Sequence, residues 1–168
     1  VAGNITFTNS HDLLIGYPSS IYLLALANKY LGNRIHPKAI STSSETLFDF
    51  QRKVIENSFH CKVFDYYGNA ERCGNIVECE KGNYHLKIEH SYVELLDENN
   101  QPGLNGNGGR MICTAFGNYA MPLIRYDIGD VAVFSKKEAC ECGRGGKIIE
   151  KIIGRTDDYI LTPDGRSV

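Results

Sequence analysis

The chain has 168 residues, 42% hydrophobic and 23% charged, with a formal net charge of -2. This composition suits a soluble globular core rather than disorder, and charges of both signs are interspersed, leaving no electrostatic footprint for nucleic acid. No run of about 18 apolar residues is present to span a bilayer, so neither nucleic acid nor a membrane is an expected partner.

The chain opens at Val1 rather than methionine, and no signal-peptide zones follow. The expectation is therefore a piece of a longer cytoplasmic polypeptide. In such a reducing compartment the six unevenly spaced cysteines are expected as free thiols plus a metal site, not as disulfides.

Pro18-Ser19-Ser20 precedes Ile21, Leu24, Ala25 and Leu31, and Gly32 follows them. Proline near the start and glycine past the end predict a helix. Residues 38–42 read as a short strand. Leu47, Phe50, Val54 and Phe59 recur near the helical period, predicting a second amphipathic helix that ends at about His60. Residues 62–66 form the next strand. This strand–helix–strand order predicts a parallel sheet whose ligands sit beyond the carboxyl ends of its strands, where Ser43-Ser44-Glu45 and Tyr67-Gly68 fall.

Beyond about residue 76 the pattern changes to short β segments at 84–88, 92–96, 111–116, 131–134 and 148–153, which predict a small antiparallel, barrel-like subdomain. Asn99 to Gly103 and Asn105 to Gly109 carry turn chemistry, and the second run reads as a mobile surface loop. It lacks the lysine and following Ser or Thr of a phosphate loop. The expected class is α/β, with an α/β part at 1–76, a β-rich part at 77–153 and a short terminal segment at 154–168.

Three segments stand in order: Tyr67-Gly68-Asn69-Ala70-Glu71, Arg125-Tyr126-Asp127-Ile128-Gly129-Asp130, and Gly154-Arg155-Thr156-Asp157-Asp158. Tyr67 offers an aromatic face suited to a purine, Gly68 permits close backbone approach, and Glu71 offers the hard oxygen that magnesium prefers. Asp130, read as standing in a tight Gly-Asp turn, suits the two hydroxyls of a ribose, and the Arg155 fork suits paired oxygens. Taken singly, each has a plainer alternative: a core tyrosine, a solvated glutamate, a common turn, and a surface ion pair of Arg155 with Asp157 or Asp158.

Together with Ser43-Ser44-Glu45 and Cys140-Glu141-Cys142-Gly143-Arg144, these motifs resemble the adenylate-forming superfamily of acyl-CoA synthetases over roughly residues 16 to 168. Within it they resemble the phenylacetate-CoA ligase branch and its relatives from capsular polysaccharide clusters. The resemblance implies a ligase that converts a small carboxylic acid, aryl by analogy, to an acyl-adenylate with ATP and Mg2+, then to a CoA thioester. It implies that Ser43, Ser44 and Glu45 border the adenine, Tyr67 stacks on it with Gly68 beside it, and Glu71 is the catalytic magnesium ligand. Asp130 and Arg155 would hold the ribose, and Asp157 would be the hinge of a following domain. The family's phosphate loop is expected before Val1 and its adenylation lysine after Val168, so this segment alone is expected to be inactive. Ala70 replaces the family's usual Thr or Ser. A homodimer is left open.

Cys79, His85, Cys140 and Cys142 form a soft four-ligand set suited to a structural Zn2+, with Cys73 in reserve. The alternative is a small core cysteine plus two free thiols. Cys61 and Cys113 read as buried filler on strands, and His36, His60 and His90 as surface or capping residues. The competing functional class is a catalytically inactive, zinc-stabilised binding or scaffolding module in polysaccharide biosynthesis.

Overall fold

The structure is a computed structural model and describes residues 12–103 and 106–155. It divides into two compact units, Val1–Tyr67 and Gly68–Val168. No helix among the described residues is long and apolar enough to cross a membrane.

The first unit runs β1 (Leu13–Gly16), α1 (Pro18–Tyr30), β2 (Ala39–Ser43), α2 (Asp49–Phe59) and β3 (Val63–Tyr67). The three strands pair in parallel in chain order, Ile15 opposite Ser41 and Thr42 opposite Asp65. Proline occupies the first turn of α1, where its missing N–H leaves no helical bond unmade. Pro18, Ile21, Ala25 and Asn28 form the buried stripe of α1, and Gln51, Ile55 and Phe59 that of α2. The two helices pack against each other, with Ile35, Ile40 and Val63 completing the core.

Phe50, expected on the buried face of α2, is exposed; its ring stacks on Phe48 at 5.9 Å and meets Tyr22 edge-on at 5.7 Å. Gln51 takes the inward position because its Oε1 accepts the Phe48 N–H at 3.1 Å, satisfying a helix-start donor. Asn28, fully buried, fastens the segment after α1: its Oδ1 accepts the Ile35 N–H at 3.0 Å. Its Nδ2 donates to the carbonyls of Ile35 at 3.3 Å and Ser58 at 3.4 Å.

The second unit contains β4 (Ile76–Glu78), β5 (Tyr84–Leu86), β6 (Ser91–Leu96), β7 (Gly108–Ala115), β8 (Tyr126–Phe134) and β9 (Ile148–Arg155). All its pairings are antiparallel and the order is β4-β5-β9-β8-β7-β6. The α/β class is as expected, but the sheet stays open where the sequence suggested a barrel-like closure. Ile76, Leu95, Met111, Ile128, Phe134 and Ile149 fill its buried face.

Gly108 and Gly109, read from sequence as part of a mobile loop, open β7 instead. Gly109 is buried, and a Cβ there would lie 3.0 Å from the Leu96 carbonyl oxygen, so the close approach of β6 demands glycine. Leu104 and Asn105 lie outside the described residues.

Candidate functional site

The carboxyl ends of the parallel strands in the first unit bring Gly16, Ser43 and Tyr67 to one edge of the sheet, because Gly16 stands opposite Thr42 and Ser43 opposite Tyr66. Ser43 and Tyr67 are half-buried, and Ser44 and Glu45 are exposed. Ser44 adopts φ 68°, and its hydroxyl lies 3.5 Å from that of Ser43. Glu45 Oε2 accepts the Ser19 N–H at 3.1 Å, placing a carboxylate at the positive N-terminal end of α1.

Gly68 starts the second unit, followed by a loop that presents Glu71. Asn69 closes that loop on itself. Its Oδ1 accepts the Cys73 N–H at 3.0 Å, its Nδ2 donates to the Cys73 carbonyl at 2.5 Å, and its own carbonyl accepts the Arg72 N–H at 3.1 Å. Ala70 is exposed and Glu71 half-buried.

Asp130 lies within β8 rather than in the turn expected from Gly-Asp. Between the pairs Arg110↔Val131 and Ile112↔Asp127 the single β7 residue Met111 faces Ile128, Gly129 and Asp130, so β8 bulges there. Gly129 takes φ 75°, a left-handed value that glycine adopts without a Cβ clash. Asp127 Oδ1 accepts the Gly129 N–H at 3.0 Å and its other oxygen pairs with Arg110. Arg125 forks onto both Glu94 oxygens at 3.1 and 3.3 Å.

On the other side, Asp130 stands opposite Arg155 of β9. Two register shifts follow on β9, leaving Ile153 and then Glu150 without opposite residues on β8. Asp130 is half-buried and Arg155 exposed. Asp157 lies outside the described residues.

The four expected metal ligands come together. Their donor atoms lie within 4.8 Å of one another, with Cys79 Sγ 3.8 Å from Cys140 Sγ and Cys142 Sγ 3.4 Å from His85 Nε2. Burial and the nearby Arg144 charge hold His85 below the usual imidazole range, favouring the neutral ring that binds metals. Burial pushes the Cys142 thiol up, but its hydrogen bonds, first with the Arg144 backbone, outweigh burial and leave it below the ordinary thiol range.

Cys73, the reserve ligand, is buried beside Cys113 and is not part of the cluster; burial raises both thiols, so they are inert filler. Cys61 sits half-buried in the bend between α2 and β3 rather than on a strand.

No protein-family model matches the chain. It is 29% identical to protein CapK of Staphylococcus aureus over 153 residues, 89% of this chain and 32% of that protein. It is 31% identical to a phenylacetate-coenzyme A ligase of Thermus thermophilus over 150 residues, 83% of this chain and 34% of that enzyme. The chain belongs to the adenylate-forming superfamily.

Its fold is that of solved superfamily members: 2-hydroxyisobutyryl-CoA ligase, in the postadenylation state with an acyl-AMP, matches with a TM-score of 0.77 over 94% of this chain and 35% of that one, at 23% identity. The chain spans about a third of the length of the curated relatives it matches.

Within this superfamily member, sequence reasoning passed over Asn69, Glu94, Arg110 and Asp127. Asn69 was legible in principle, since an Asn side chain readily bonds backbone a few residues on. Glu94 and Arg110 carry no local signal, because they meet Arg125 and Asp127 across 31 and 17 positions.

Proposed function

We propose that this chain is the nucleotide-binding part of an acid-CoA ligase, which joins a small carboxylic acid to AMP and then passes the acyl group to CoA. The observation that carries the reading is Asp130, which lies in the β8 bulge against β7 and pairs in register with Arg155 of β9. In this reading the Asp130 carboxylate accepts both ribose hydroxyls, and Arg155 donates to ribose or phosphate oxygen.

Tyr67 stacks on adenine, with Gly68 allowing the backbone close approach and Ser43, Ser44 and Glu45 bordering the base. Glu71 holds Mg2+, which offsets the negative charge gathered when a carboxylate attacks the α-phosphate of ATP. Asp157 is the hinge for a following domain. The acid is aryl by analogy with the phenylacetate-coenzyme A ligases among the relatives. The Cys79/His85/Cys140/Cys142 set suits a structural Zn2+ with no part in this chemistry.

The test is AMP binding by the full-length protein. Removing a carboxylate that accepts two hydroxyl hydrogen bonds costs about 1.5–3 kcal/mol per bond in well-formed charged contacts. Asp130→Ala is therefore expected to weaken AMP by about a hundredfold or more. Unchanged affinity would remove the ribose assignment.

Ala70, at a position where the family usually has a hydroxyl near the nucleotide phosphate, favours a second reading: a non-catalytic binding module that keeps the fold. Pyrophosphate exchange with a panel of aromatic and aliphatic acids separates the two. Exchange with any of them supports the ligase, and none supports the module.

A further inference from the structure

We propose that Cys79, His85, Cys140 and Cys142 bind one Zn2+ as a structural clamp joining the β4–β5 turn to the connection between β8 and β9. The chemistry is independent of the ligase reading. A tetrahedral zinc with Zn–S of about 2.3 Å and Zn–N of about 2.0–2.1 Å requires S···S edges of about 3.8 Å and S···N edges of about 3.5 Å. The structure shows 3.8 Å for Cys79–Cys140 and 3.4 Å for Cys142–His85, with every donor within 4.8 Å of the others.

Two similar turns deliver the sulfurs. The Cys79 carbonyl accepts the Gly82 N–H at 2.8 Å, and the Cys140 carbonyl accepts the Gly143 N–H at 3.1 Å. Both glycines are left-handed, with φ 74° and 78°, so each chain reverses tightly around its leading cysteine. His85 reaches the cluster from β5, where it stands opposite Ile148 of β9.

Packing alone does not account for the cluster. His85 is 2% exposed and its Nδ1 has no hydrogen-bond partner among the described residues. Burying such a ring is unfavourable unless its other nitrogen gains a strong partner, and Nε2 lies 3.4 Å from Cys142 Sγ in a group whose three thiols form no disulfide. A metal bound to Nε2 supplies that partner.

Three soft thiolates and one imidazole select Zn2+ over Mg2+ or Ca2+, and four protein donors leave no open position for substrate, as in structural zinc sites. The outer groups fit a charge-rich centre. Asn83 Nδ2 donates to Cys140 Sγ at 3.2 Å and is itself held by Lys137 at 3.2 Å, while Arg144 pairs with Glu80 at 2.8 Å beside the second turn. Residues 61 positions apart are thereby joined beside β4 and β5, strands of only three residues each.

The experiment is elemental analysis of the full-length protein purified without a metal-affinity column. One zinc per chain is expected, and a protein without zinc, or with iron in its place, overturns the proposal. The double variant Cys140→Ser/Cys142→Ser is expected to lose the metal while Cys61→Ser keeps it; zinc retained by the double variant overturns the ligand assignment.

Should the double variant fail to fold, cobalt exchanged into the wild-type protein reads the same site. Thiolate-to-cobalt charge-transfer bands with intense tetrahedral d–d absorption are expected, and a weak octahedral spectrum overturns the set. Chelation is expected to speed amide exchange in 79–85 and 135–147 while leaving the first unit unchanged. Exchange unchanged in both segments overturns the clamp.

Discussion

Asn28→Ala tests whether the first unit is held by a buried polar staple as much as by its apolar stripe. Asn28 is 0% exposed and its amide serves the Ile35 N–H at 3.0 Å, the Ile35 carbonyl at 3.3 Å and the Ser58 carbonyl at 3.4 Å. Truncation leaves the Ile35 N–H buried without an acceptor, a loss of about 1–3 kcal/mol, and weakens two carbonyls that keep other lone pairs. With the small void left by the amide group, the total is about 2–4 kcal/mol. The readout is hydrogen exchange by mass spectrometry on peptides covering α2, whose core residues Ile55 and Phe59 report opening of the unit. At about 1.4 kcal/mol per tenfold, exchange there should accelerate by about 30-fold to 10³-fold. Asn57→Ala, at an exposed position of the same helix, serves as the control and should leave it unchanged. Protection in Asn28→Ala within a factor of about three of wild type, less than about 0.7 kcal/mol, would refute the staple.

Glu71→Gln is expected to lower pyrophosphate exchange by about tenfold or more, with a raised Mg2+ requirement, since an amide is a weaker ligand than a carboxylate for this hard cation; an unaltered Mg2+ titration would remove the magnesium role. Gly74→Ala places a Cβ 2.8 Å from the buried Cys113 Sγ at φ 81°, so overpacking of about 1–3 kcal/mol adds to left-handed strain of about 1–2 kcal/mol. A fall in Tm no larger than that of Gly32→Ala, where φ is 77° and no atom lies within 4 Å, would show that the contact relaxes freely. Gly129→Ala strains the β8 bulge by a similar 1–2 kcal/mol or so and is expected to weaken AMP binding as well as stability. Equal AMP affinity in Gly129→Ala and Gly32→Ala would show that the bulge does not position Asp130.

The sequence made visible those parts whose signals are local. Pro18, Gly32 and the spacing of Ile21 and Ala25 announce α1, and each cysteine of the metal cluster is followed three residues later by glycine. β1 and β4 were missed because strands of four and three residues are too short to show alternation. Gly108-Gly109 and Gly129-Asp130 misled because glycine also serves within strands. In β7 the glycine admits the Leu96 backbone, and in β8 it permits a bulge within a continuing strand. Phe50 misled because Gln51 takes the inward position instead, its Oε1 accepting the Phe48 N–H.

The β8 bulge also solves a problem of phase. Side chains along a strand alternate between faces, and in β8 the buried positions are Ile128, Ala132 and Phe134. Asp130 shares their parity. In a regular strand its carboxylate would be driven into the apolar face, at a loss of several kcal/mol for an uncompensated charge. Opposing three β8 residues to the single Met111 shifts the pairing by two positions, which preserves the alternation on both sides and lets Gly129 turn the chain locally. Asp130 is thereby only half-buried, while Ile128 before it and Ala132 after it stay inside. The fixed supports are Asp127, tied to the Gly129 N–H and to Arg110, and Arg125, tied to Glu94. The motif Arg-Tyr-Asp-Ile-Gly-Asp therefore divides its labour: its first charged residue and its first aspartate hold the bulge open, and its last aspartate is the group that the bulge presents. A charge removed from either support should thus act on ligand affinity only through the orientation of Asp130, and lowered AMP affinity in Asp127→Asn that persists in an Asp130→Ala background would contradict that dependence.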